Sequence, residues 1–295
     1  MANLKEIKLK IGSVSNTQKT TKAMKLVSSA KLTRTRQLSE QAKSYASKIN
    51  EVLSEIAHRV SKVQDGGNTH KAFLQNDNPK TVDIVFVTAD KGLCGGFNMA
   101  TIKTVNKMMA EYKDQGINVR LRVAGRKGVD FFTFQKIDLL QSTSDLASAP
   151  DYDKACDFIK DAVSDFEKGE TDKVVLVYNG FLNMLTQELK VRELLPISLE
   201  DVSFNENESS MLDIEPDDDD EVLEELTGKY IDFNMYYSLI DSLAAEHSAR
   251  MQAMEAATKN AKERVDSLTV EYNKARQAAI TTELIEIISG VESLK

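Results

Sequence analysis

An α/β domain set between two long helices that pair as an antiparallel coiled coil is the fold class this sequence predicts. Three observations carry the prediction. All four prolines fall between Pro79 and Pro216. Residues 1–65 hold one glycine, Gly12, and residues 229–289 hold neither glycine nor proline. Proline costs about 3 kcal/mol inside a helix and glycine about 1, so stretches of this length without them permit continuous helix. At about 1.5 Å per residue, each end can form a rod roughly 90 Å long.

The first segment opens with Leu4, Ile7, Ile11 and Val14, and closes with Tyr45, Ile49, Val52, Ile56 and Val60. Spacings of three and four form the narrow apolar seam of a coiled coil. Between these runs, residues 15–44 are mostly Ser, Thr, Gln and Lys, with Met24, Leu26, Val27, Leu32 and Leu38 as the larger apolar side chains. The last segment repeats the rule: Ala261, Val265, Leu268, Tyr272, Ala275 and Ala279 alternate steps of four and three. Its small residues let a partner helix come close.

The middle alternates strand and helix. Val82–Thr88 and Val119–Ala124 are short β-rich apolar runs, as is Lys173–Tyr178, and 186–195 leads as a further strand to Pro196. Residues 97–115 and 152–168 carry helical patterns between them. The alternation predicts a Rossmann-like α/β sheet. The expected boundaries are a coiled-coil helix at 1–65, an α/β domain at 66–228 with an acidic connector near 200–228, and a second coiled-coil helix at 229–295.

Charge is segregated. The 295-residue chain has a net charge of −8, yet residues 1–60 carry nine Lys and three Arg against four Glu, a net of +8. From Glu193 to Gly228 there is no Lys or Arg, while Asp213, Glu215, Asp217–Asp220, Glu221, Glu224 and Glu225 crowd together. A basic helix can meet nucleic acid, anionic lipid or an acidic protein. The overall acidity and the lack of interleaved aromatics speak against nucleic acid. The absence of Trp and an aromatic content of 6% fit thin helical packing. No run approaches 18 apolar residues, so no membrane span is expected. The start, MANLKEIKLK, has neither the apolar core of a signal peptide nor the arginines of a transit peptide. Two cysteines, Cys94 and Cys156, make no disulfide framework.

The segment after the first strand, Asp90 to Asn98 (DKGLCGGFN), invites a nucleotide reading. A glycine-rich turn between strand and helix can cradle phosphate on backbone N–H groups. The spacing is neither GxGxxG nor GxxxxGK[ST], and a structural turn over a packed cysteine competes with that reading. None of the three histidines, His58, His70 and His247, forms a recognisable dyad pattern with Cys94. No metal-ligand cluster, cofactor motif or catalytic constellation is visible.

Three separated blocks resemble the γ subunit of bacterial-type F-type ATP synthases. They are IKLKIGSVSNTQKTTKAMKLV at 7–27, DKGLCGGFN at 90–98, and the end from Ser248 to Gly290 with SARMQAMEAATKNA and YNKARQAAITTELIEIISG. The resemblance implies a central rotor shaft with no catalytic residue of its own. Its terminal helices would form an antiparallel coiled coil inside a ring of three α and three β subunits. Its α/β domain would sit with the ε subunit on the membrane-embedded c ring. Met24 and Lys25, with Lys22, match the family region beside an acidic lever of β. Arg250, Arg276, Gln277, Thr281 and Glu283 resemble positions that hydrogen-bond loops of β, and Leu284, Ile287 and Ile288 positions that run in an apolar sleeve. Glu215 and Asp217 resemble the foot near ε and the c ring, with Ile214 standing where the family commonly has an aromatic. The implied location is the cytoplasmic face of a bacterial plasma membrane, bound through the c ring only.

Two rival readings differ in what they require. An enzyme would use the 90–98 turn to bind a nucleotide or flavin. A static scaffold would use the same coiled coil as a spacer and would self-associate.

Overall fold

The computed structural model describes residues 4–63, 71–74, 76, 78–197 and 219–292. Two long helices, α1 (Leu4–Val63) and α5 (Asp219–Glu292), enclose an α/β region in the chain order. Between them lie β1 (Thr81–Val87), α2 (Phe97–Asp114), β2 (Asn118–Ala124), α3 (Arg126–Phe134), β3 (Gln141–Thr143), α4 (Tyr152–Lys168), β4 (Lys173–Phe181) and β5 (Gln187–Leu195). Contacts divide the chain into two units, one of residues 1–29 with 250–295, the other of residues 30–249.

The larger unit holds a five-stranded sheet in the order β3-β2-β1-β4-β5. The first four strands are parallel, with Ile84 opposite both Leu121 and Val175. β5 returns antiparallel along β4, Val177 facing Val191. β1 is central and covered on both faces, which explains its unbroken apolar run. One face packs on α2 and α3 through Phe86, Ile102, Val105 and Phe132. The other packs on α4 and α5 through Val85, Ile159, Ala162, Met235 and Leu239. α4 is closed at both ends: the Asp151 carboxylate accepts from Lys154 N at 3.1 Å, and Gly169 ends the helix at φ 78°.

A charge sits inside that second face. Asp83, fully buried on β1, accepts from Arg120 Nε at 2.6 Å and Arg122 Nε at 2.8 Å. Both guanidinium groups also reach Asp165 on α4. Buried carboxylates persist only when paired and hydrogen-bonded in this way.

In the larger unit the second half of α1 packs on α5, with Ala42 and Ile49 against Phe233, Tyr237 and Ile240. Spacing alone predicts Tyr45, Ile49 and Val52 as the seam. The structure instead buries Ala42, Ile49 and Leu53, leaves Val52 half-buried and Tyr45 exposed, and sets the Tyr45 ring 4.5 Å from that of Phe233. The side chains of Ile56 and Val60 lie outside the described ones. α5 is covered on nearly every side from Ile231 to Ala249, because α1 and the sheet both pack on it.

The smaller unit is a pair of helical segments. Thr258 Oγ1 donates to Thr21 Oγ1 at 2.8 Å, and Lys25 Nζ pairs with Glu255 at 2.7 Å. As the α1 number falls from 25 to 21 the α5 number rises from 255 to 258, so the segments run antiparallel. Ile7, Thr21 and Ser28 are buried on one, Met254, Ala261 and Leu268 on the other.

Candidate functional site

The turn after β1 is the first candidate, because in this strand order the crevice at the carboxyl ends of β1 and β4 is where such folds bind nucleotides. Its side chains are occupied within the chain. Asp90 accepts the N–H groups of Arg126 at 2.9 Å and Ser148 at 3.0 Å. Asn98 accepts from Ala89 N at 2.8 Å and donates to Cys94 Sγ at 3.3 Å. Leu93 and Gly95 take positive φ of 64° and 61° to make the turn. Cys94, only 2% exposed, packs with Ala89 and Phe97 against Ala245 and Ala249 of α5. α5 therefore packs directly on the turn through Cys94 and Phe97. The motif is a docking turn for a helix.

Cys94 is shielded, and burial first, then the charge of Asp232, pushes the Cys156 thiol above its ordinary range. His247 is buried on α5.

The residues singled out from the sequence fall in two groups of the smaller unit. Met24 and Lys25 are partly covered, and Lys25 spends its ammonium on Glu255, a partner that spacing did not reveal. Arg250 is only 8% exposed. Arg276, Gln277, Thr281 and Glu283 are exposed, with Thr281 Oγ1 donating to the Gln277 carbonyl at 2.9 Å. Leu284, Ile287 and Ile288 are 54%, 62% and 61% exposed, alongside exposed Ile285 and Val291. Glu215 and Asp217 lie outside the described residues. Among the described residues no helix is long and apolar enough to cross a membrane.

Known proteins match this chain end to end. The ATP synthase family model covers residues 3–294. The ATP synthase gamma chain of Aliarcobacter butzleri (strain RM4018) is 78% identical over 100% of both chains. The chain belongs to the ATP synthase gamma chain family. The gamma chain of Sulfurovum sp. (strain NBC37-1) is 55% identical, again over 100% of both. The fold agrees with chains of solved mitochondrial ATP synthases. One, from the mitochondrial ATP synthase of Euglena gracilis in rotational state 3, has a TM-score of 0.64 at 19% identity and covers 99% of this chain and 94% of its own. Another, from the central stalk and c ring of the Tetrahymena thermophila mitochondrial enzyme, has a TM-score of 0.61 at 24% identity and covers 80% and 98%. As a gamma chain this is a rotor subunit that supplies no catalytic residue.

Proposed function

We propose that the paired helices of the smaller unit turn inside a ring of three α and three β subunits while the α/β domain, with ε, rides on the c ring. The carrying observation is the end of α5. Leu284, Ile285, Ile287, Ile288 and Val291 stand more than half exposed on one helix. An apolar run of this kind marks a surface that a partner covers. Apolar contact is non-directional, so a sleeve around it holds the helix laterally without fixing its rotation.

Polar groups before that end supply the directional contacts. Arg276, Gln277, Thr281 and Glu283 meet loops of β, and Leu284, Ile287 and Ile288 run in the sleeve. Met24 and Lys25 face an acidic part of β, where Lys25 shares its charge with Glu255 and exposed Lys22 adds a second ammonium. Arg250 has the least surface to offer such a contact. Glu215 and Asp217 form the foot toward ε and the c ring. Contacts on one side of a turning shaft favour a different conformation in each β, so rotation shifts their populations in sequence. The subunit is then peripheral, at the cytoplasmic face of a bacterial plasma membrane, and reaches the membrane through the c ring alone.

The test is to co-purify the chain with α and β subunits and weigh the complex. One copy per three αβ pairs is the expected result. Self-association into a rod without αβ would favour a static spacer, and no complex at all would refute the proposal.

A further inference from the structure

The geometry points to a pinned joint between α5 and the α/β domain, with Asp241 as the positioning residue that carries torque across it. This inference rests on the rotor reading above. Torque generated on the helices has to reach the α/β domain through whatever contacts join the two, and within the larger unit those contacts are of two unlike kinds.

Asp241, Ala245, Ser248 and Ala249 share one face of α5, at spacings of four, seven and eight. The middle of that face is smooth: Ala245 and Ala249 lie against Cys94, Phe97 and Ala89. Apolar contact of this kind resists separation but not sliding.

The two ends are directional. Both oxygens of the buried Asp241 carboxylate are engaged, Oδ1 by Phe181 N at 3.1 Å and Oδ2 by Lys190 Nζ at 2.8 Å. Two turns on, Ser248 Oγ donates to the Met184 carbonyl at 2.9 Å and accepts from Gln187 Nε2 at 3.3 Å. All four partners belong to β4, β5 or the loop between them. Gly180 permits the approach: a Cβ there would stand 2.6 Å from Asp241 Oδ2 and 2.6 Å from Lys190 Cε. Turning or sliding α5 by one residue would strip the carboxylate of both donors and leave a buried charge unpaired, the costliest step such a contact can present. α5 continues without a break into the smaller unit, so a pin at Asp241 acts on the helix that runs there.

The test uses the whole enzyme in sealed vesicles, reading ATP hydrolysis and ATP-driven ion pumping together. Asp241→Asn keeps the shape and one acceptor but removes the charge pairing with Lys190. Its pumping per ATP hydrolysed should fall by about fivefold, the lower end of ordinary coupling effects, while hydrolysis continues. Lys190→Met should act alike, and the double variant should be no worse than either single change. Ser248→Ala, a milder change, should lower the ratio less and keeps the question answerable should Asp241→Asn fail to assemble. Glu111→Gln, which breaks the exposed Lys107–Glu111 pair on α2, should leave the ratio unchanged. A wild-type ratio in all assembled joint variants would overturn the pinned joint and leave the rotor reading intact. A wild-type complex that hydrolyses ATP without pumping would instead overturn the rotor reading on which the joint depends.

Discussion

Asp172 shows how a single carboxylate fixes the start of the central strand. It accepts from Lys80 N at 2.7 Å, Thr81 N at 3.0 Å and Asn76 Nδ2 at 3.1 Å, tying the start of β1 to the loop before β4. Burial alone would raise its pKa, but the three donors and the charge of Lys80 outweigh it and hold the carboxyl below its ordinary range. A folded pKa below the unfolded one means that the native state binds fewer protons. The stabilisation is therefore complete above the unfolded carboxylate value of about 3.9 and is lost as pH falls through the folded value. Asp172→Ala should flatten the acid limb of the stability curve, measured by urea unfolding between roughly pH 5 and pH 2. An unchanged limb would refute this role. Met24 belongs to the same scale. A lysine there adds an ammonium beside the Lys25–Glu255 pair, and exposed charge interactions are worth up to about 1 kcal/mol, near fivefold in a population. Met24→Lys should leave assembly intact and lower pumping per ATP, whereas a wild-type ratio would count against its place near β. Neither residue was legible from pattern. Asp172 binds backbone groups from 91 and 92 positions away, and Met24 was singled out by likeness to a family.

At the scale of elements, the seam explains both what the sequence revealed and what it hid. On α5 the positions 261, 265, 268, 272, 275 and 279 read directly as heptads, and each is buried or partly covered. On α1 the covered positions include 4, 7, 11, 14, 18, 21, 25, 28, 32, 35, 39, 42, 49 and 53, a rhythm of three and four apart from the undescribed side chain of Ala46, with 15, 24, 29 and 52 partly covered beside it. Its middle escaped the apolar pattern because Gln18, Thr21, Lys25, Ser28, Thr35 and Ser39 occupy the seam. Small and polar residues there need a close partner, and Thr258 and Glu255 of α5 provide one for Thr21 and Lys25. Enlarging the seam should therefore hurt: Ala261→Leu overpacks it by about 1–3 kcal/mol and should lower the melting temperature by several degrees. The same change at exposed Ala256 should do little, and equal melting of both variants would contradict the seam. α3 and β3 were missed for local reasons. α3 is nine residues with Gly128 inside it, and β3 is a polar three-residue edge strand, Gln-Ser-Thr. α5 also begins at Asp219, inside the stretch expected as connector, because Gly228 is tolerated where neighbouring turns are good helix formers.

Across the whole molecule, the two helical ends and the sheet were legible because proline placement and periodicity are properties of the chain alone. The burial of residues 231–249 was not, because it depends on α1 and the sheet meeting the same helix from different sides. The same limit applied to the 90–98 turn. Its glycines suggested a phosphate site, and only the position of Ala245 and Ala249 shows Cys94 and Phe97 packed against α5. An exposed apolar helix end and a paired polar seam suit a part that moves within another assembly. The most direct measurement assembles the chain with α and β subunits, fixes the ring to a surface and attaches a bead to the α/β domain. The rotor mechanism requires the bead to turn in steps, in one direction, while ATP is hydrolysed. A complex that hydrolyses ATP at a normal rate with the bead stationary would contradict it.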